Sequence, residues 1–214
     1  RLDEIQEIDV WEKAVNSLLE GADADIYVTG SNSKLMSSEI STYLTGRYVS
    51  IPVYTLSFKE YLDFKADSTL SRRELLEEYI RFGGFPIIAL SEYDEQSAYQ
   101  IVNGIYHTVV SRDIVKRHRI NKQDLFDRVV KYIIENMGKT FSANSISTFL
   151  KSEHRKVSVE SIYNYLRWLE QALIIYPCER YDLQGKSILK TQEKYYLADV
   201  SLKYALQGYN RKML

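Results

Sequence analysis

Two adjacent carboxylates near the start of the chain, Asp3 and Glu4, have the types and the spacing that chemistry on a nucleotide requires. They follow an apolar residue, Leu2, that reads as the end of a buried strand. A magnesium nucleotide needs one carboxylate to hold the metal through water and another to orient the attacking water. The pair therefore predicts a Walker B segment with Asp3 at the metal. Two solvated acids in a loop before a helix are the alternative, because Asp-Glu is a common dipeptide.

The elements around the pair follow the order strand, helix, strand. Residues 9–21 predict a helix that lies against a sheet, and residues 25–29 predict a short apolar strand. That strand ends in small polar residues, among them Ser31 and Asn32. Open α/β sheets bind ligands at the carboxyl ends of their strands, so Ser31 and Asn32 are candidate ligand contacts. One of the two also suits the N-cap of the next predicted helix, residues 34–45.

Arg47 is a further candidate, since it lies between that helix and the next strand. Gly46 ends the predicted helix, and residues 48–53 predict a strand whose proline, Pro52, marks it as an edge strand or a strand end. A lone arginine in this place is more commonly a surface cation at a helix C-terminus. The residue pattern alone leaves both roles open.

Six blocks of residues, taken together, resemble a bacterial and archaeal family of AAA-type ATPases. The blocks are Asp3–Gln6, Thr29–Ser33, Thr45–Tyr48, Leu56–Glu60, Gly83–Pro86 and Lys194–Leu197. In that family an ATPase core precedes a C-terminal region of unknown function, which contains a winged helix and then a restriction-nuclease-like fold. The ordered series runs from one end of the chain to the other and is far more specific than any single block.

The resemblance implies a role for each candidate residue. Asp3 would hold a water-coordinated Mg²⁺, Glu4 would polarise water, and Ser31 or Asn32 would sense the γ-phosphate of ATP. Arg47 would act in trans, as an arginine finger across the interface of a homo-oligomer. ATP and Mg²⁺ are thus the cofactors implied for the full-length parent protein.

The phosphate-binding loop of this family would lie upstream of Arg1, and the nuclease-like fold mostly beyond Leu214. That loop needs a glycine at fixed spacing before Gly-Lys-Ser/Thr, so that backbone N–H groups face the phosphates. Only residues 138–140 and 185–187 carry the tripeptide, and neither has the upstream glycine. They predict a helix C-cap and a hairpin turn. We therefore expect no ATP or Mg²⁺ bound to the chain as given and no activity from it.

The strand of the missing loop would lie between residues 26–28 and 49–53 in this architecture. Its absence would leave an apolar gap. Because burial of each large side chain there stabilises a sheet by roughly 1.5–3 kcal/mol, the gap should not stay empty. We expect one of three outcomes: the two strands pair directly, they receive a strand from another segment of the protein, or residues 1–55 are poorly ordered while residues 121–180 fold well.

The predicted fold class is α/β followed by mainly α, in four parts. Residues 1–65 are a partial AAA-type α/β core from Walker B onward, and residues 66–120 are a helical lid. Residues 121–180 are a winged helix, and residues 181–214 are a β-ribbon with the start of a C-terminal domain.

Local signals support the helical part of this division. Capping boxes at Ser57–Glu60 and Ser71–Glu74 predict the starts of two helices. A longer helix from about residue 95 is predicted to carry Ile101, Ile105 and Val109 on one apolar face.

The winged-helix prediction rests on three helices followed by a β-ribbon. The helices are predicted at residues 121–138, 142–151 and 158–172, and the ribbon at residues 173–181 and 188–197. A lone cysteine, Cys178, lies in the ribbon, and we expect it to be inert.

A recognition role for the third helix would bring five residues to DNA. Asn164 and Arg167 would face a groove, and Lys151, Arg155 and Lys156 would contact phosphates.

Other residues of the same helix argue against that role. Glu160 and Glu170 would repel phosphate, and Trp168 on an outer face suggests a contact with protein. Internal docking is therefore the stronger alternative for this unit.

Composition excludes several classes of protein. The formal net charge of -1 gives no overall attraction to nucleic acid, and one cysteine with three histidines excludes a disulfide framework and argues against structural zinc. No apolar run approaches the ~20 residues of a membrane span, so we expect a cytoplasmic protein with no membrane partner.

Two functions follow from the sequence. The first is ATP hydrolysis by the full-length parent, in a homo-oligomer and with a possible link to DNA. The alternative is a winged-helix module that binds DNA or a protein and has no activity of its own.

Overall fold

The computed structural model describes residues 2–5, 8, 10–21, 25–30, 46–178 and 193–208. These residues are mainly helical, with one small antiparallel sheet. The α-helices are α1 (Trp11–Gly21), α2 (Phe58–Phe64), α3 (Arg72–Phe82), α4 (Pro86–Ala89), α5 (Glu95–Val109), α6 (Gln123–Glu135), α7 (Ala143–Ser152), α8 (Val159–Gln171) and α9 (Ser201–Gln207). A π-helical segment, Val110–Lys116, continues α5, and the strands are β1 (Thr140–Phe141), β2 (Ile175–Cys178) and β3 (Glu193–Leu197).

The two N-terminal segments that the sequence predicts as strands run parallel to each other. The N–H of Leu2 donates to the carbonyl of Tyr27 at 2.8 Å, and the N–H of Thr29 donates to the carbonyl of Leu2 at 2.9 Å. Within the described residues this pairing is one bridge, Leu2 to Val28, rather than an extended ladder. The sequence therefore overestimates the length of these strands.

Helix α1 covers these paired segments with one apolar face. Its residues Trp11 and Val15 are buried in a small cluster with Ile5, while Leu18 at the end of the same predicted stripe is exposed. The cluster is separate from the main core, which begins after residue 80.

The predicted edge strand at residues 48–53 does not form within the described part of the chain. The segment has no strand neighbour there, and Val49, Ile51 and Val53 are 83%, 74% and 82% exposed. An extended segment becomes a strand only when a neighbour accepts and donates its backbone hydrogen bonds. The segment thus has the apolar alternation of a strand, but within the described residues no neighbouring strand pairs with it.

Both predicted capping boxes are confirmed. Ser57 caps α2 and Ser71 caps α3, and in each case the glutamate three residues later bonds back to the N-cap. The hydrogen bonds from Ser57 hold the pKa of Glu60 below its usual value. Reciprocal bonding of this kind satisfies two backbone donors that a helix start leaves open.

The buried face of α5 is shifted from the predicted one. Ala98, Val102 and Tyr106 are fully buried, whereas the predicted face of Ile101, Ile105 and Val109 is only partly buried. Both sets repeat every four residues and both are apolar, so the helical period alone does not choose between them. Packing against α9 and the rest of the core makes the choice.

Helices α6, α7 and α8 and the three strands form a compact unit in the order helix, strand, helix, helix, strand, strand. The sheet order is β1-β3-β2, with both pairs antiparallel. The sequence predicts the three helices and both later strands but not β1, which is only two residues long. The helices bury large apolar side chains completely, among them Phe126, Ile146 and Leu169.

One hydrophobic cluster joins this unit to the helices before it. It runs from Ile88 in α4 through α5 and α6 to Leu202 in α9. The helices predicted as a lid and those predicted as a winged helix therefore share a core.

The turn after β3 is fixed to the loop after α3 by a buried carboxylate. Asp199 accepts hydrogen bonds from the N–H of Gly84 at 2.8 Å and from the N–H of Ser201 at 3.0 Å. Gly83 adopts φ +76°, and a Cβ atom added to it would lie 1.8 Å from Asp199 Oδ1. The two glycines of the Gly-Gly-Phe-Pro block thus allow a close approach that no other residue would permit.

Candidate functional site

Asp3 lies at the carboxyl end of the first of the two parallel segments, beside the end of the second. The hydroxyl of Thr29 donates a hydrogen bond to Asp3 Oδ1. Asp3 is exposed and Thr29 is half-buried, so the hydroxyl fixes one carboxylate oxygen while solvent reaches the side chain. A hydrogen-bonded, solvent-accessible carboxylate is a suitable ligand for a hydrated Mg²⁺ ion.

Glu4 points toward the π-helical segment. Its Oε1 atom lies 3.5 Å from Nη2 of Arg112, and the backbone of Glu4 adopts a left-handed φ of +48°. Nε of Arg112 is in turn 3.3 Å from Oδ1 of Asp113, which is 5% exposed. A buried acid therefore anchors the arginine that contacts Glu4.

Of the other predicted residues of the ATPase site the structure describes only Arg47, and it does not bring Arg47 to this pair. Ser31 and Asn32 lie outside the described residues. Arg47 is exposed and follows Gly46, which adopts φ +75°. Within the described residues no ion pair joins Arg47 to Asp3 or Glu4.

Two residues of the site were missed by the sequence analysis. Thr29 ends the predicted second strand. Its position directly before Gly30 indicates the end of a strand but does not indicate a contact to Asp3. Arg112 opens a basic run, and nothing local in the sequence indicates that it reaches a glutamate about a hundred residues earlier.

No group of three or more metal-ligating side chains occurs among the residues that the structure describes. The donor set at Asp3, one carboxylate and one neighbouring hydroxyl, fits Mg²⁺, which is usually held by one or two carboxylates, waters and substrate phosphates. The phosphate-binding loop that would hold the rest of a nucleotide is not in this sequence.

The five predicted DNA contacts divide into separate groups. Nη1 of Arg155 donates to Oδ2 of Asp124, and this hydrogen bond holds the pKa of Asp124 below its usual value. Lys156 and Asn164 line an open cleft of about 470 Å³ between residues 118–122 and the N-terminal half of α8, which we call the cationic cleft. Lys151 and Arg167 are exposed outside it.

Trp168, which the sequence places on an outer face of the third helix, packs against another part of the same chain. Its ring stacks on His118 with centroids 4.1 Å apart and planes 8° apart, and it is only partly exposed. The protein contact that the sequence suggested is therefore, in this structure, a contact to the same chain.

None of the described helices is both long enough and apolar enough to cross a membrane.

Comparison with known families divides the chain into two parts. Residues 73–212 match a family described as a domain of unknown function, DUF8612, and residues 1–62 match an AAA domain. The match over residues 1–62 supports the predicted resemblance to AAA-family ATPases in that part of the chain. The winged helix and the nuclease-like fold stay predictions.

Similar proteins occur in bacteria and archaea. An uncharacterized protein of Haemophilus influenzae is 38% identical over 94% of this chain and 50% of its own length. An uncharacterized protein of Methanocaldococcus jannaschii is 36% identical over 95% of this chain and 47% of its own length. The chain thus spans about half the length of these relatives.

A solved structure, that of a Walker-type ATPase of Pyrococcus abyssi, is similar in fold. It superposes with a TM-score of 0.56 at 15% identity, over 96% of this chain and 61% of that one. At this identity the likeness concerns the fold.

Proposed function

The chain belongs to the DUF8612 family and its residues 1–62 match an AAA domain, and from this we propose that its full-length protein hydrolyses ATP. The observation that carries the proposal is the hydrogen bond from Thr29 to Asp3 across two parallel segments. It brings an acidic residue and a polar residue together at the carboxyl ends of neighbouring segments, where α/β nucleotide-binding folds place their ligands.

In the proposed mechanism Asp3 holds hydrated Mg²⁺, and Thr29 fixes the orientation of its carboxylate. Mg²⁺, when bound, neutralises charge on the phosphates during transfer of the γ-phosphoryl group. Glu4 orients and polarises the attacking water. Since Arg112 contacts Glu4 in this structure, Glu4 must leave that ion pair before it acts.

The remaining roles are proposed from the family alone. Ser31 or Asn32 senses the γ-phosphate, and Arg47 reaches the nucleotide of a neighbouring subunit in a homo-oligomer. The exposure of Arg47 is compatible with a role in trans, because the side chain of an arginine finger must extend across the interface to the neighbouring subunit.

The test is a measurement of ATP binding and ATP turnover by the full-length protein, and the 214-residue chain is the matched control. We expect the full-length protein to bind and hydrolyse Mg-ATP and the 214-residue chain to do neither. If the full-length protein binds no nucleotide, the proposed function is wrong.

A second candidate function is a winged-helix module that binds nucleic acid or a protein. The order of α6, β1, α7, α8, β2 and β3 and the sheet order β1-β3-β2 support it, because three helices with an antiparallel ribbon is the winged-helix arrangement. ATP turnover by the full-length protein with and without duplex DNA separates the two functions. If DNA stimulates ATP turnover, the protein has both functions. If it binds DNA without ATP turnover, only the winged-helix function is supported.

A further inference from the structure

The cationic cleft combines positive charge with the absence of negative charge. Arg119, Lys122 and Lys156 line it, and none of its lining residues is an aspartate or a glutamate. None of these three cations forms an ion pair within the described part of the chain. Three uncompensated cations around one cleft attract an anion more strongly than the net charge of -1 for the whole chain would suggest.

Another cleft of the same molecule shows that this charge pattern is specific to the place. A cleft of about 800 Å³ beside α3 is lined by five carboxylates and two cations. The carboxylates are Asp67, Glu74, Glu77, Glu78 and Glu92. Acidic residues, which are abundant on the surface, are therefore missing from the cationic cleft and not from the surface in general.

The cleft also carries hydrogen-bond donors that suit phosphate oxygens. Its floor is the start of α8, where the hydroxyl of Ser158 accepts from the N–H of Ser161 at 3.0 Å and both serines line the cleft. Asn164 lies one turn further along the helix and lines the cleft as well. The N-terminus of a 13-residue helix adds a partial positive charge to that of the three cations.

The opposite wall is held in place before any ligand arrives. Arg119 adopts a left-handed φ of +50°, and the N–H of Ile120 closes the turn by donating to the carbonyl of Val115 at 3.1 Å. The stack of His118 on Trp168 fixes this turn against α8. Residues other than glycine and asparagine rarely adopt such a φ, and local strain of this kind is concentrated at binding sites.

Further exposed cations lie close in sequence to the residues that line the cleft. Lys116 and Arg117 precede the turn and are exposed, and Arg167 lies exposed on α8, three residues after Asn164. An open cleft lined by several cations is typical of a surface that contacts a phosphodiester backbone rather than one that encloses a mononucleotide.

We propose that the cationic cleft binds the sugar–phosphate backbone of nucleic acid through Arg119, Lys122 and Lys156. The proposal deepens the second candidate function and rests on it. It keeps Lys156 as a phosphate contact and replaces Lys151 and Arg155 by Arg119 and Lys122, in the turn that precedes α6. Arg155 is excluded as a principal contact because it is paired with Asp124. Contacts to the backbone give affinity without sequence preference.

The test compares two triple variants of the full-length protein. The first carries Arg119→Gln, Lys122→Gln and Lys156→Gln. The control carries Lys13→Gln, Lys59→Gln and Lys203→Gln, which are exposed and remote in sequence from the cleft, and which remove the same charge. Lys122 is the N-cap residue of α6 but makes no side-chain cap, so its substitution removes no capping bond.

Binding to a fluorescent 20-base-pair duplex is measured from about 50 to about 200 mM salt, and each phosphate contact contributes about 0.9 to the slope of log affinity against log salt. We expect the slope for the cleft variant to be shallower by about 2.7, so its loss of affinity should be at least roughly 40-fold at the lowest salt and much smaller at the highest. The control variant should bind like the unmodified protein. Equal losses in the two variants, or no binding by the unmodified protein, would overturn the proposal.

Two further arms keep the outcome clear. Tripolyphosphate that displaces the duplex at an equal concentration of phosphate would assign the cleft to free polyphosphate and overturn the claim for nucleic acid. If the triple variant does not fold, Lys156→Gln alone should reduce the slope by about 0.9, and an unchanged slope would contradict the proposal. ATP turnover of the unmodified protein without DNA is recorded separately, so its failure bears on the ATPase function alone.

Discussion

The hydroxyl of Thr29 donates a hydrogen bond to Asp3 Oδ1, and this bond joins the ends of two parallel segments that lie 26 residues apart in sequence. A residue that hydrogen-bonds a metal ligand fixes the ligand's orientation, and its loss typically costs 10–100-fold in metal affinity or activity. In the proposed ATPase site Thr29 is therefore a positioning residue for Asp3, and its effect should appear in the dependence of ATP hydrolysis on Mg²⁺.

Thr29→Val in the full-length protein is expected to raise the Mg²⁺ concentration needed for half-maximal ATP hydrolysis by roughly tenfold. The substitution keeps the shape of the side chain and removes only its donor. Thr29→Ser retains the hydroxyl and is the matched control, so it should keep most of the Mg²⁺ affinity. An equal response of the two variants would show that the hydroxyl does not position Asp3.

Gly83 and Gly104 offer a matched pair for testing the contact between Asp199 and the glycine loop. Gly83→Ala places a Cβ against Asp199 at a residue with φ +76°, whereas Gly104 lies in α5 with open space around it. We expect Gly83→Ala to lower the free energy of unfolding by at least about 2 kcal/mol, because a buried acceptor is displaced from its donors. Gly104→Ala should raise it by about 0.5–1 kcal/mol, since glycine is unfavourable within a helix.

Chemical denaturation of the chain as given, followed by circular dichroism, measures both changes. A Gly83→Ala variant as stable as the unmodified chain would mean that the loop moves away from Asp199 without loss.

Hydrogen exchange tests how well the N-terminal segments are held. Residues 26–28 pair through one bridge, whereas Ile133 and Ile134 are buried within α6. Because amides exchange through local opening, residues 26–28 should exchange much faster than those of α6 in the chain as given. Equal protection would show that residues 26–28 are held as firmly as α6 and would contradict the expectation of a strand missing beside them.

The local features of the fold were predictable from the sequence because local interactions cause them. The capping serines Ser57 and Ser71 begin helices where the sequence places them, since each serine and its glutamate are three residues apart. The buried stripe of α5 was not predictable, because two neighbouring stripes are both apolar and tertiary packing selects one.

Contacts between distant residues account for the remaining differences. Arg155 has an acidic partner, Asp124, that is 31 residues away, and Trp168 has His118 at a distance of 50 residues. The helical or strand periodicity of apolar residues does not indicate which distant residues pair. Strand β1 was missed for a different reason, because two residues are too few to show an alternating pattern.

The central claim is that Glu4 polarises the attacking water, and the most direct measurement is ATP turnover by full-length Glu4→Gln beside its ATP affinity. A general base typically contributes 10²–10⁴-fold, so turnover should fall by at least about 100-fold while the dissociation constant for Mg-ATP stays within about twofold. Glu12→Gln, in the first turn of α1, is the control and should leave both values unchanged. Turnover retained by Glu4→Gln would contradict the assignment of Asp3 and Glu4 as the Walker B pair.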